Sequence, residues 1–190
     1  MVQRMAAALI LTCVLGTTPA VASMISLDVS SPVNAGASFD VAVQVTDVFA
    51  GRAIDDVLVA FGFDVTIGDP GVIQFTGATV GPLFAPLALG TPMVAGIAAN
   101  PLGIGPGDFS SPLTLAMLHF SALHSGTSSL GVTWDSSDLN QGLVYLDLPF
   151  GPIAASTDVR VSAIPEPSTM FLVLAPAIGL LGRGRRSWKS

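Results

Sequence analysis

The chain has 190 residues and a formal charge of −6, with 51% hydrophobic and 11% charged residues, and its mean hydropathy is +0.70. That length suits one ordinary domain with short appendages, and so apolar a composition excludes a disordered chain. The acidic balance excludes a nucleic-acid binder, which needs clustered Lys and Arg, and a lone cysteine, Cys13, excludes an internal disulfide or a zinc site.

Charge is unevenly spread. Residues 23–163 hold twelve Asp, no Glu, no Lys and only Arg52 and Arg160, a net charge of −10, whereas both ends are basic. An acidic body between basic ends predicts an exported domain flanked by addressing segments. At the N-terminus, Arg4 precedes the apolar run Met5–Leu15, Gly16-Thr17-Thr18-Pro19 breaks it, and Ala20-Val21-Ala22 follows. This order predicts a signal helix within a secretory signal peptide over residues 1–22. Ala20 and Ala22 are small enough for the pockets of signal peptidase, which would cut after Ala22. Eleven apolar residues are too few to span a bilayer, and Cys13 leaves with the signal.

The next segment reads as strands. Ile25–Val29 alternates up to Ser30-Ser31-Pro32, and Asn34-Ala35-Gly36 turns the chain into Phe39–Val45, where Phe39, Val41, Val43 and Val45 share a face. Val57–Val65, the turn Gly68-Asp69-Pro70-Gly71, and Val72–Thr76 follow. Residues 81–112 then hold six Gly, six Pro and one charge, Asp108, long for a plain loop. They are expected as an insertion that folds back as an apolar flap over a sheet, forms a partner-binding surface, or stays disordered; so few charges argue against free solvation, and the flap is favoured. Beyond it, Leu113–Leu123 points Ala116, Leu118, Phe120 and Ala122 inward, and Ser128–Trp134, Gly142–Asp147 and Ala155–Val161 complete the set. Residues 23–163 therefore predict an all-β fold, an antiparallel β-sandwich with Phe39, Val41, Val43, Leu118 and Phe120 in one core.

Chemistry-bearing side chains are few. His119 and His124 are the only imidazoles; alternation turns His119 outward and His124 sits at a turn, so both read as surface residues. No G-x-S-x-G, H-E-x-x-H or Cys–His pairing is present. Asp55-Asp56, Asp64 with Asp69, and Asp135 with Asp138 carry oxygens suited to calcium, but a D-x-[DN]-x-[DN]-G loop is absent and solvated turns account for them. No catalytic residue, metal or cofactor is expected. Flat aromatic faces suit sugars, and in the body Trp134 and Tyr145 are the candidates for such a ligand site.

At the C-terminus, Pro165-Glu166-Pro167 precedes the apolar segment of residues 169–182, and Arg183, Arg185 and Arg186 follow. The prolines hold an extended peptide, the segment enters lipid as a transmembrane helix, and the arginines stop translocation on the inner side, leaving the body outside. Fourteen residues rise only about 21 Å as a helix against a hydrocarbon core of about 30 Å. A transient hold in the inner membrane fits that shortness better than a permanent anchor. Trp188 in the basic tail reads as an interfacial residue.

Residues 164–190 closely resemble the PEP-CTERM sorting signal of Gram-negative bacteria. The resemblance implies recognition by exosortase, processing near Pro165-Glu166-Pro167, and delivery of the body to the cell surface or exterior. The body, through Ser31–Gly36 leading into Phe39–Val45, Phe61-Gly62-Phe63-Asp64, Ile73–Gly77 and Leu115–Ala122, resembles the cohesin-like and carbohydrate-binding-module-like sandwiches found before such signals. It implies a jelly-roll that binds rather than catalyses. The expected function is a non-catalytic surface or matrix protein, structural or adhesive, whose partner is extracellular polysaccharide or another surface protein. A carbohydrate-binding module and, further off, a secreted hydrolase are the alternatives.

Overall fold

The computed structural model describes residues 23–164 apart from 30–31, 91 and 148–149. Ala20, Ala22, Pro165, Glu166, Pro167, Arg183, Arg185 and Arg186, with the signal helix and the membrane segment, lie outside the described residues. Among the described residues the chain is all-β and contains no helix.

Two sheets face each other. The first has four strands in the order β1 (Met24–Val29), β3 (Ser38–Thr46), β8 (Leu113–Ala122) and β5 (Ile73–Val80). The second runs β2 (Val33–Asn34), β11 (Ala155–Ser162), β9 (Gly126–Thr133), β4 (Leu58–Ile67), β7 (Met93–Ala98) and β6 (Phe84–Leu89), with β10 (Gly142–Tyr145) also on β4. Pairing is antiparallel except that β2 runs parallel to β11. That exception arises because the N-terminal chain changes sheets: β1 pairs with β3, and after Pro32 the chain crosses to the end of β11, where the Ala35 N–H donates to the Ser162 carbonyl at 2.9 Å.

Alternation builds the core. On β3 and β8 the expected Phe39, Val41, Val43, Leu118 and Phe120 are all buried in one cluster, with Phe61, Phe63, Leu130 and Val132 arriving from the second sheet. The Phe120 ring stacks on Phe39 at 5.4 Å and meets the edge of Phe75 at 5.5 Å, an arrangement worth about 1 kcal/mol beyond area burial.

Residues 81–112 differ from the expected flap. β6 and β7 form a hairpin that extends the second sheet at its edge, β7 pairing with β4 from Ala60↔Ile97 to Asp64↔Met93. Proline and glycine are tolerated there for local reasons. Pro86 lies on the outermost strand beside a bulge, where a missing N–H costs least. At Gly96 a Cβ would lie 2.7 Å from the Phe61 ring, so only glycine admits that ring against β7. The remainder of the segment is pinned at Ile104, which exchanges two backbone hydrogen bonds with Leu58 at 2.9 and 3.0 Å.

One end of the sandwich carries the turns 35–37, 68–72 and 123–125 together with the end of β11. The opposite end carries the longer connections 47–57, 99–112, 134–141 and the chain after β10.

Candidate functional site

Pairing register fixes which side chains leave the core on the second sheet. Phe61, Phe63 and Val94 are buried inward, so their neighbours Ala60, Met93 and Ile97 project outward, joined by Ala85 across from Ile97 and Val144 across from Ala60. Ile97 is 44% exposed and Leu87, in the β6 bulge, 63%. A shallow cavity of about 150 Å³ opens here between Ala60, Ile97, Asn100 and Pro101. Further across the sheet the same face turns polar, with Thr133 and Ser129 of β9 and Asp158 and Arg160 of β11. The outer surface is therefore apolar at the hairpin and hydrophilic at β9 and β11.

Trp134 and Tyr145 do not form a flat aromatic pair. Tyr145 is 3% exposed, its hydroxyl donates to the Val48 carbonyl, and the Arg52 guanidinium covers one ring face at 3.3 Å from the centroid. Tyr145 is thus corrected from ligand candidate to core residue, because its ring and its polar tip both find partners inside. Burial pushes its phenol above the ordinary value of 10.0. Trp134 is half-buried against the core. Gly142, at φ +93°, sits against its ring, where a Cβ would come within 2.9 Å.

Of the aspartates considered for calcium, Asp69, Asp135 and Asp138 are turn acceptors, Asp64 lies within β4, and Asp56 pairs with Arg52. Asp135 Oδ1 accepts from the Ser137 hydroxyl at 2.7 Å and its N–H at 2.8 Å, bonds that hold the carboxyl below its usual value. Asp138 accepts from the Asn140 N–H and side-chain amide, both at 2.9 Å, and Asp69 from the Gly71 N–H at 2.8 Å. Among the described residues no three metal-ligating side chains cluster.

His119 lies on the outer face of the first sheet with unexpected company. Its Nδ1 is 2.7 Å from Asp40 Oδ1 on β3, and its Nε2 is 3.4 Å from Thr79 Oγ1 on β5. The types match an acid–base–nucleophile series, but the three lie across one open sheet face rather than in a cleft, and a nucleophile needs closer contact with its base. His124 donates from Nδ1 to the Gly71 carbonyl at 2.9 Å and ties two turns together.

Sequence reading missed a polar cluster at the end bearing the long connections. Arg52 bonds Asp56 at 3.0 Å and the Asp147 carbonyl at 3.0 Å, while Asp56, 2% exposed, accepts from the backbone N–H of Val57 and Asp147. The one available signal was that Arg52 is among only two cations in residues 23–163. Beside it Phe49 meets Phe109 at 6.3 Å and Tyr145 at 5.9 Å.

No protein-family model matches the chain, nor does any curated protein sequence at a significant level. Solved structures do. A cohesin module from a Clostridium perfringens family 33 glycoside hydrolase aligns with TM-score 0.51 at 11% identity, covering 75% of this chain and 97% of the module. A type II cohesin from Acetivibrio cellulolyticus, in a complex with an X-dockerin, covers 75% of this chain and 95% of its own at 12% identity and TM-score 0.44. A type II cohesin domain from the cellulosome of the same organism covers 76% and 92% at 13% identity and TM-score 0.39. The likeness to the Clostridium perfringens module establishes the fold: a cohesin-like β-sandwich.

Proposed function

We propose that the chain is an exported, non-catalytic binding module with a structural or adhesive role at the cell surface or in the extracellular matrix. The observation that carries this reading is the apolar strip of Ala85, Met93 and Ile97 on the outer face of the second sheet, with exposed Leu87 in the adjoining bulge. Contiguous aliphatic side chains on a surface mark contact sites, and an aliphatic strip bordered by one charge, Asp64 across from Met93, suits another surface protein better than a sugar. A carbohydrate-binding role through Trp134 and Tyr145 loses its second platform to the core.

Delivery follows from the two ends. Signal peptidase removes residues 1–22 after Ala22. Residues 169–182 hold the chain in the inner membrane with the body on the periplasmic side, Arg183, Arg185 and Arg186 fix that orientation, and exosortase processes the chain near Pro165-Glu166-Pro167. One structural detail supports this assignment. Ser162 accepts the backbone hydrogen bond that closes β11, so only Ala163 and Ile164 separate the folded body from Pro165, and processing there would release the sandwich intact.

The test expresses the parent and the Leu87→Lys/Ile97→Lys variant in a host containing an exosortase and in one lacking it. Intact mass and the partition between cells, matrix and medium are measured. The expected result is an exosortase-dependent loss of the basic tail in both proteins, with matrix retention in the parent alone. Equal retention of the two would remove the adhesive strip from the reading, and an intact tail in both hosts would remove the sorting signal.

A further inference from the structure

The end that carries the Arg52 cluster also carries a second assembly of ring faces and carboxylate. A pocket of about 300 Å³ lies between the turn of residues 47–50 and Pro106, Phe109 and Ser111. Phe49 and Phe109, both partly buried against the core and tilted by 37°, supply apolar walls. Asp47 stands exposed at the rim with φ +53°, a left-handed conformation that costs a non-glycine residue. Among the described residues nothing hydrogen-bonds its carboxylate, and the turn is closed instead through its carbonyl, which accepts from the Ala50 N–H at 2.9 Å.

The neighbouring cluster shows what such parts can hold. There the Arg52 guanidinium lies on the face of Tyr145 with Asp56 as its counter-charge at 3.0 Å, a cation secured between an aromatic face and a carboxylate. Phe49, in edge contact with Tyr145, passes the ring series on to Phe109 and Asp47. Among the described residues lining this second pocket, none is a cation.

We propose that the pocket between Phe49 and Phe109 binds a lysine or arginine side chain of a basic polypeptide partner, with Asp47 as the counter-charge. The aliphatic stem lies along the two rings and the charged end reaches the carboxylate, the division of labour that long cationic side chains adopt at apolar surfaces. A volume at the low end of small-molecule pockets suits one such side chain. Asp55, Asp108 and Asp147 are exposed on the connections at the same end, so the surrounding potential attracts a basic segment. The body of a second copy, residues 23–163, carries −10 as well and is repelled. This site is separate from the apolar strip and does not depend on how the chain is exported.

The test titrates the full-length chain with a labelled Lys–Gly or Arg–Gly repeat peptide at low salt, read by fluorescence anisotropy. Asp47→Asn, which keeps the side-chain shape and tolerates the left-handed backbone, should weaken binding about tenfold. Phe109→Ala should weaken it by a similar factor while circular dichroism stays unchanged. Asp28→Asn removes the same charge from the first sheet's outer face and should leave binding as it was, as should Ile97→Ser on the strip. Equal weakening by Asp47→Asn and Asp28→Asn would reduce the effect to net charge and overturn the proposal. Absence of saturable binding, or binding indifferent to Asp47, would overturn it as well.

Discussion

The outer face of the first sheet and the hairpin edge of the second cover one core and yet are opposites. On the first sheet Ser38, Asp40 and Gln44 of β3 stand beside His119 and Ser121 of β8 and Thr79 of β5, a polar surface joined by cross-strand hydrogen bonds. On the second, the hairpin β6–β7 turns Val94 inward and Met93 and Ile97 outward, so it is apolar on both sides. Strict alternation describes a strand with one face in water, whereas apolar residues on both faces describe a strand with contacts on both. The difference lies in the Gly/Pro-rich segment, which supplies the apolar part of the sandwich's outer surface.

The largest expected effect removes the core that both faces share. Phe120 is fully buried between Phe39 and Phe75, so Phe120→Asp places an unpaired charge there and should cost about 4 kcal/mol or more. Both faces should go together, seen as one cooperative loss of β-signal in circular dichroism. A folded variant would show that this core is not common to the two sheets.

A second substitution should separate them. Phe84 anchors the hairpin through an edge contact with Phe61 at 4.7 Å, and Phe84→Ala should cost about 3–4 kcal/mol in urea unfolding. Amide hydrogen exchange should rise first in residues 84–98 and stay slow in β3 and β8. Equal acceleration in both would mean that the hairpin is integral to the sandwich rather than an edge addition.

That contrast also explains what was legible in the sequence. β3 and β8 alternate cleanly, so their inward faces, and with them the core, could be read directly from Phe39, Val41, Val43, Leu118 and Phe120. β6 and β7 could not, because Pro86 and Gly96 are local strand breakers whose cost disappears only at a sheet edge and against the Phe61 ring, facts of tertiary position. Tyr145 misled for the same reason. Its candidacy rested on ring type, while its burial depends on Val48 and Arg52, 97 and 93 positions away.

Tyr145 offers a third, pH-based measurement at the end where the faces meet. It is the only tyrosine in the chain, so tyrosinate absorbance reports it alone. Its phenol is raised above 10.0, chiefly because burial disfavours the anion. The neutral form is thus held more firmly in the folded than in the unfolded chain. The stability this contributes is complete below pH of about 10 and is lost as pH rises through the raised value. Tyrosinate should appear at higher pH in the native chain than in 8 M urea (about the usual concentration for full unfolding), and alkaline unfolding should accompany it. Coincident titrations would place the ring in water and reopen its use as a ligand platform.

The smallest effect belongs to His119, and its smallness is what distinguishes the faces. Its side chain is 36% exposed and that of Asp40 56%, so whatever their 2.7 Å contact gains is screened by water and offset by the ordering of two side chains. His119→Ala should change unfolding free energy by no more than about 0.5 kcal/mol. Matrix retention should stay at the parent level, whereas Leu87→Lys/Ile97→Lys, at the hairpin of the other sheet, should remove retention with the fold intact. The Asp40–His119–Thr79 line would then be a cross-strand clasp whose components serve register and solubility. Loss of retention in His119→Ala with an unchanged urea midpoint would transfer the binding role to the polar face, since no stability change would remain to explain it. Measuring both variants for both properties makes the assignment of the contact surface a matter of which face fails alone.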